Sequence, residues 1–229
     1  MTFDPKIMED WSMLPGDTKL NGAIRKEKKR TQKEDVTIID YQKDLLYTAI
    51  NFCKQKRVAI DAGAHYGIMS YNLSHLFTNV HSFEIYEPVR NCLIENKKRF
   101  KLDNVKIYNH GLGEKNKTVN LDESRGTLGT YILPNQDGNS LIMSLDSLSI
   151  SDIDFIKIDC EGYEPFILEG AEETIKKYKP VILMERKGHT IRYNLDKNYP
   201  VKILEKWGYV EEVAYNKDCI MVHKNNGKS

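Results

Sequence analysis

The sequence predicts an α/β fold in which a mostly parallel, doubly wound sheet is closed by an antiparallel C-terminal hairpin. Three observations carry that prediction. Short apolar runs alternate with amphipathic stretches from Tyr41 onward, the rhythm of parallel strands joined by helical crossovers. The segment Val58 to Gly67, VAIDAGAHYG, reads as a buried strand that enters a glycine loop and then a helix. The tail, Tyr209 to Ala214 and Ile220 to His223 around Asn216-Lys217-Asp218, has the alternation and turn residues of a hairpin.

The elements follow in order. Residues up to about Thr37 read as irregular or loosely helical, with turn signals at Pro15-Gly16 and Asn21-Gly22. Tyr41 to Lys54 spaces Leu45, Leu46, Ala49, Ile50 and Cys53 along one helix face, which suits packing on a sheet. Val58, Ala59 and Ile60 are apolar without alternation, as a strand covered on both faces requires. Ile68 to Phe77 is a helix, Val80 to Ile85 a second strand and Val89 to Phe100 another helix. Val105 to His110 is a third strand that runs into Gly111-Leu112-Gly113. Thr118 to Leu121 and Thr130 to Leu133 flank a turn-rich stretch and read as an inserted hairpin. Asp154 to Asp159 makes a fourth strand, Ala171 to Tyr178 a helix and Val181 to Glu185 a fifth strand.

The chain has 229 residues, enough for one α/β domain, here residues 41–229, preceded by a basic appendage over 1–40. A net charge of +1 gives no global reason for a polyanionic partner. Positive charge does concentrate in Arg25-Lys26-Glu27-Lys28-Lys29-Arg30 and in Lys97-Lys98-Arg99, both read as solvated helix faces. The stretch Arg25 to Lys33 is where an RNA contact would form, if one does. Cys53, Cys92, Cys160 and Cys219 form no C-x-x-C pair, so neither a disulfide framework nor a zinc site is indicated and a reducing, cytoplasmic location is expected. No apolar run approaches the roughly 20 residues that span a bilayer, and Met1-Thr2-Phe3-Asp4-Pro5 lacks the plan of a signal peptide. No membrane partner is expected.

Ligands of open α/β sheets sit outside the carboxyl ends of the strands. Those ends are Asp61, Glu84, Asp159 with Glu161, and Glu185, an acid on nearly every strand. Gly63 lets the backbone turn and a ligand approach closely, and Gly67 opens a helix whose free N–H groups face that ligand. Glu84 lies where an acid accepts ribose hydroxyls. The loop lacks the G-x-G-x-x-G spacing of a pyrophosphate site, and Asp61 beside it suits a cation, which points to S-adenosylmethionine. The expected binding set is Asp61, Gly63, Ala64, Tyr66, Gly67, Glu84, Ile85 and Asp159, with Gly111 and Leu112 lying against the adenine. In Lys157-Ile158-Asp159-Cys160-Glu161-Gly162-Tyr163-Glu164, Gly162 permits a tight turn that lets Asp159 and Glu161 face the cleft.

These segments, with Ser82-Phe83-Glu84, Ser144-Leu145-Asp146-Ser147-Leu148 and Pro180-Val181-Ile182-Leu183-Met184-Glu185, resemble the successive motifs of the FkbM-type class I methyltransferases from about Val58 to Arg186. The most specific part is LDSL followed by KIDCEGYE. The resemblance implies a Rossmann-like, seven-stranded class I methyltransferase sheet with an antiparallel last strand, bound S-adenosylmethionine, and methyl transfer to an oxygen of a small molecule or glycan. The family commonly has proline directly after the ribose-binding acid, whereas this chain reads Glu84-Ile85-Tyr86-Glu87-Pro88, leaving Glu84 or Glu87 for the ribose. Glu84 is preferred because it ends the apolar strand.

Methyl transfer to a hydroxyl needs a base, and Asp159, Glu161 and His189 are the candidates, with Glu185 sharing that work or fixing a sugar hydroxyl. The acids show no clear ligand set for a cation, so no metal is expected. Glu164 is read as a solvated helix residue, and Asp146 either caps a turn or helix or serves the site. Two other functions are weighed. One is an RNA 2′-O-methyltransferase, from Lys43, Asp159, Lys187 and Glu211 as a lysine-aspartate-lysine-glutamate set, and the other a non-catalytic cofactor-binding module. Acceptor specificity is expected in Met1 to Thr37, Asp122 to Gly138 and Lys187 to Tyr199.

Overall fold

The computed structural model describes residues 11–17, 19–33, 36–124, 126–134, 136–215 and 217–226. The N-terminal pentapeptide and Asn216 of the hairpin turn lie outside them. Seven strands form the main sheet: β1 (Val58–Ala62), β2 (Asn79–Phe83), β3 (Val105–Tyr108), β9 (Ile153–Ile158), β10 (Val181–Glu185), β11 (Tyr209–Tyr215) and β12 (Asp218–His223). Their order is β11-β12-β10-β9-β1-β2-β3. Strands β3, β2, β1, β9 and β10 run parallel, while β12 pairs antiparallel with both β10 and β11. The doubly wound sheet and its antiparallel closing hairpin are as the sequence predicts.

The apolar runs are uninterrupted because both faces of these strands are covered. Since side chains alternate across a strand, Ala59, Phe155 and Leu183 fall in one core layer and Ile60, Ile156 and Ile182 in the other. The first layer meets Leu45, Leu46, Ala49 and Ile50 of α2 (Lys43–Ile50) and Ile68 and Leu73 of α3 (Ile68–Ser74). The second meets Ile167 and Leu168 of α5 (Glu164–Glu169), Ile175 of α6 (Glu172–Tyr178) and Leu204 of α7 (Tyr199–Lys206). Each such fully buried aliphatic side chain contributes about 1.5–3 kcal/mol. Helix α4 (Glu87–Arg99) crosses from β2 to β3 and buries Val89, Cys92 and Leu93.

Several elements differ from the sequence reading. A helix, α1 (Lys19–Thr31), runs straight through Asn21-Gly22, because burial of Ile24 outweighs the local turn preference. Trp11, Ile24, Val36, Ile38 and Ile39 join the first core layer. The inserted hairpin is shifted: β6 (Leu121–Asp122) pairs with β7 (Tyr131–Ile132). Thr118 belongs instead to β5 (Lys117–Val119), which with β4 (Gly111–Leu112) flanks the unforeseen β8 (Ser140–Met143) in a second small sheet. Fully buried Ile142 anchors that sheet. Helix α7 was also unforeseen, although Pro200 in its first turn is a helix-start signal. The four cysteines are free, and among the described residues no helix is long and apolar enough to cross a membrane.

Candidate active site

The carboxyl ends of β1, β2, β9 and β10 converge on a cavity of about 220 Å³. At one end lies the glycine loop. Gly63 has φ +76°, and a Cβ there would come within 2.1 Å of the Asp159 carbonyl oxygen, so the loop meets the end of β9 backbone to backbone. Gly67, at φ +88°, precedes α3 and leaves room for Leu93, whose Cδ1 a Cβ would approach to 2.3 Å.

Glu84 lines this end and is buried. Its carboxylate accepts the His65 N–H at 2.8 Å and the Tyr86 N–H at 2.9 Å, leaving one lone pair on each oxygen for a ligand. Burial raises its pKa, against the opposing pull of those two N–H groups. Glu87 is exposed at the start of α4 and does not line the cavity, whereas Glu84 does. Gly63, Ala64, Tyr66, Ile85, Gly111 and Leu112 all line the cavity. Asp61 and Gly67 do not.

Asp61 is fully buried beneath the loop, where its Oδ2 accepts the Ser70 hydroxyl at 2.6 Å and its Oδ1 lies 3.3 Å from the Lys157 Nζ. The cation that meets Asp61 is therefore a side chain of the protein. Lys157 lines the cavity and donates to the Gly63 carbonyl at 2.7 Å. Burial works against its charge, but Asp61 and Asp159 outweigh that and hold the ammonium above the ordinary lysine range. Sequence reasoning missed Lys157. The signal was a lysine inside the apolar run Phe155 to Ile158, where only a paired charge is tolerated.

The other end of the cavity is dense in charge. Asp159, Glu161 and Lys187 line it, with Glu185 buried behind them at the end of β10. Burial and neighbouring Asp159 push the Glu185 carboxyl well above its ordinary value, which favours its protonated form. Burial would raise Asp159 as well, yet Lys157 and Lys187 prevail and hold it below the usual carboxylate range. The surroundings of the pair favour charge on Asp159 over charge on Glu185. The Lys187 ammonium touches Glu185.

Glu161 stands at φ +54° with Oε2 2.8 Å from His189 Nδ1. Arg192 donates to the Glu161 carbonyl at 2.5 Å and lies 3.4 Å from Oε2. His189 does not line the cavity; burial lowers its pKa although Glu161 raises it. Ligand atoms of Glu161, Glu185 and His189 lie within 4.8 Å of one another, a spacing that suits a metal ion. Lys187 touches Glu185 and Arg192 lies beside Glu161 in the same group.

Glu164 corrects an expectation. It is 2 % exposed rather than solvated, and its Oε1 accepts the N–H groups of Cys160 at 3.0 Å and Gly162 at 3.1 Å, fixing the turn that carries Glu161. Burial raises its pKa to about 7. Asp146 is a cap: it accepts the N–H groups of Glu173 at 3.2 Å and Thr174 at 2.9 Å at the start of α6. Of the lysine-aspartate-lysine-glutamate set, Asp159 and Lys187 line the cavity, whereas Lys43, paired with Asp40 at 3.1 Å, and Glu211, paired with Arg186 at 2.9 Å, do not. Tyr131, whose ring lies 4.3 Å under the Arg192 guanidinium, completes the wall at this end, and Tyr193 supports it from behind by donating to the carbonyl of the lining residue Ile132 at 2.7 Å.

The model of the methyltransferase FkbM domain matches residues 61–210. An FkbM methyltransferase structure from Methylobacillus flagellatus KT is similar at TM-score 0.53 and 15% identity, covering 73% of this chain and 44% of that one. This chain thus spans less than half the length of that protein. Precorrin-6y C5,15-methyltransferase from Geobacter metallireducens GS-15 is similar at TM-score 0.50 and 17% identity, over 78% of this chain and 86% of its own. A Streptococcus mutans methyltransferase in complex with S-adenosylhomocysteine is similar at TM-score 0.50 and 15% identity, over 78% and 94%. At such identities the likeness is one of fold. No curated protein matches the sequence. A family model that covers this much of the chain, together with the strand-end acids gathered at one cavity, shows that the protein belongs to the FkbM methyltransferase family.

Proposed function

We propose that the protein is an S-adenosylmethionine-dependent O-methyltransferase whose acceptor is a hydroxyl of a sugar, glycan or small metabolite. The observation that carries this reading is geometric: Asp159 and Glu161 line the same cavity as Glu84 and the glycine loop, with Glu185 buried behind them, and the surrounding charges favour ionisation of Asp159 over Glu185. The residues fit the cofactor. Glu84 keeps a free lone pair on each oxygen for the ribose hydroxyls, while Ile85, Gly111 and Leu112 offer an apolar, close-approach wall for the adenine.

S-adenosylmethionine supplies a methyl carbon already activated by its sulfonium, so the protein has to orient the acceptor, exclude water and take a proton. Asp159 is the group placed to take that proton. Its pKa is low for a base, but a hydroxyl becomes strongly acidic as its oxygen gains a carbon, and general-base assistance of this kind is worth about 10²–10⁴ in rate. Lys157 and Lys187 keep Asp159 ionised between turnovers. Glu161, held by His189 and Arg192, faces the cavity as an acceptor for a second hydroxyl, a pattern suited to a polyol or sugar.

The test is transfer of labelled methyl from S-adenosylmethionine to cell extract, with glycan, small-molecule and RNA fractions separated. Label in the glycan or small-molecule fraction, lost in Asp159→Asn, is the expected result. Label in RNA that disappears at raised salt would replace this acceptor class with a nucleic acid.

A further inference from the structure

The segment 11–17 precedes the residues matched by the family model, yet it is docked on the site. Trp11 is 5 % exposed, stacked on Phe100 at 4.7 Å and edge-on to Tyr71 at 5.8 Å. The Ser12 N–H donates to Asn96 Oδ1 at 2.7 Å, and the Asn96 amide donates to the Ser12 carbonyl at 3.0 Å and to the Tyr66 carbonyl at 2.9 Å. The segment then reaches the cavity wall. The Leu14 N–H donates to the Tyr66 hydroxyl at 3.3 Å, and that hydroxyl donates to Asp17 Oδ2 at 2.8 Å. The same carboxylate oxygen accepts the hydroxyl of Thr127.

Tyr66 and Thr127 both line the cavity from segments far apart in the chain, and Thr127 also meets His65 and Tyr66 of the glycine loop directly. Tyr66 belongs to the glycine loop and is fully buried. Thr127 opens the single turn Thr127–Gly129, which lies between the two-residue strands β6 and β7. So short a hairpin holds little stability of its own, and the charge-assisted bond to Asp17 adds to the ties of Tyr131 with Asp122 and Arg192 and of Ile132 with Tyr193. Tyr131 of β7, under Arg192, carries the same hairpin to the acceptor wall.

We propose that Asp17 is a positioning residue that latches the glycine loop to the β6–β7 insertion, so that the cofactor enters and leaves only when this junction opens. The inference rests on the S-adenosylmethionine reading of the cavity. Because one carboxylate oxygen joins both partners, losing Asp17 or losing the Thr127 hydroxyl opens the same latch, and the two losses do not add.

The experiment measures association and dissociation of S-adenosylhomocysteine by stopped flow in the full chain, for wild type, Asp17→Ala, the near-isosteric Thr127→Val and the double variant. Each single variant is expected to speed both association and dissociation by about tenfold, with Kd changing less than either rate. The double variant should be no faster than Asp17→Ala. A purely structural role for Asp17 would lower Tm while leaving the rates alone, and unchanged rates in both single variants overturn the latch. So does a double variant whose acceleration is the product of the single ones. Thr127→Val decides the matter if Asp17→Ala does not fold. Wild type that fails to bind S-adenosylhomocysteine would overturn the cofactor reading itself, whereas intact binding with unchanged rates overturns the latch alone.

Discussion

The two ends of the cavity are built from different materials. At the cofactor end the contacts are largely main chain: Gly63 against the Asp159 carbonyl, and the N–H groups of His65 and Tyr86 on one carboxylate, Glu84. At the acceptor end they are side-chain charges, Asp159, Glu161 and Glu185 set against Lys157, Lys187 and Arg192. Backbone geometry holds its shape through changes of pH and salt, while a cluster of buried charges changes with the proton on any one member. A fixed nucleoside end and a proton-handling acceptor end are what the proposed methyl transfer to a hydroxyl would require.

Asp159→Asn is the sharpest way to separate the ends. It should lower kcat by about 10²–10⁴ while S-adenosylhomocysteine binds as before in calorimetry; parallel loss of affinity would show that the ends are not independent. Lys157 is the side chain that joins them, through Gly63, Asp61 and Asp159. Lys157→Met leaves Asp61 buried without its ion-pair partner and is expected to cost on the order of 3–5 kcal/mol in urea unfolding. Adding Asp61→Asn should restore much of that loss.

Glu164 tests the pH sensitivity of the turn behind the acceptor end. Burial raises its carboxyl from 4.5 to about 7 in the folded protein, which therefore keeps a proton that the unfolded chain releases. That contribution is fully present below pH 4.5 and is lost as pH rises through about 7. Glu164→Gln keeps the acceptor oxygen for Cys160 and Gly162 and has no proton to lose. Its stability should fall less between pH 4.5 and pH 8 than that of wild type, by about 3 kcal/mol; parallel curves would refute a buried, titrating Glu164. The smallest effect belongs to the cofactor end. Glu84→Gln should weaken S-adenosylhomocysteine binding about tenfold, and Glu87→Gln should leave it unchanged.

Much of the cofactor end was legible because it is local. Val58 to Gly67 is strand, turn and helix start in one contiguous run, and Glu84 ends the neighbouring strand at the register the sheet imposes, with Ala62 opposite Phe83. The parallel strands themselves were legible from uninterrupted apolar runs, and Val181–Glu185 has the bounds read from its residues. Glu164 was misread because its amphipathic context suggests solvent, whereas two N–H groups of the preceding turn draw its carboxylate inward. The β5–β8 pairing was missed because short strands choose partners through long-range packing, here around Ile142, rather than by local propensity.

Sequence alone determined the doubly wound sheet, the glycine loop, the acids at the strand ends and the family, because each rests on periodicity or on neighbours a few residues apart. Tertiary structure alone decided what those acids do. It buried Asp61 against Lys157, set Asp159 among cations and Glu185 behind it so that charge is favoured on Asp159, and brought Asp17 to Tyr66 and Thr127. A carboxylate's role depends on which charges and N–H groups surround it within a few ångströms, and in this protein those neighbours come from segments far apart in the chain.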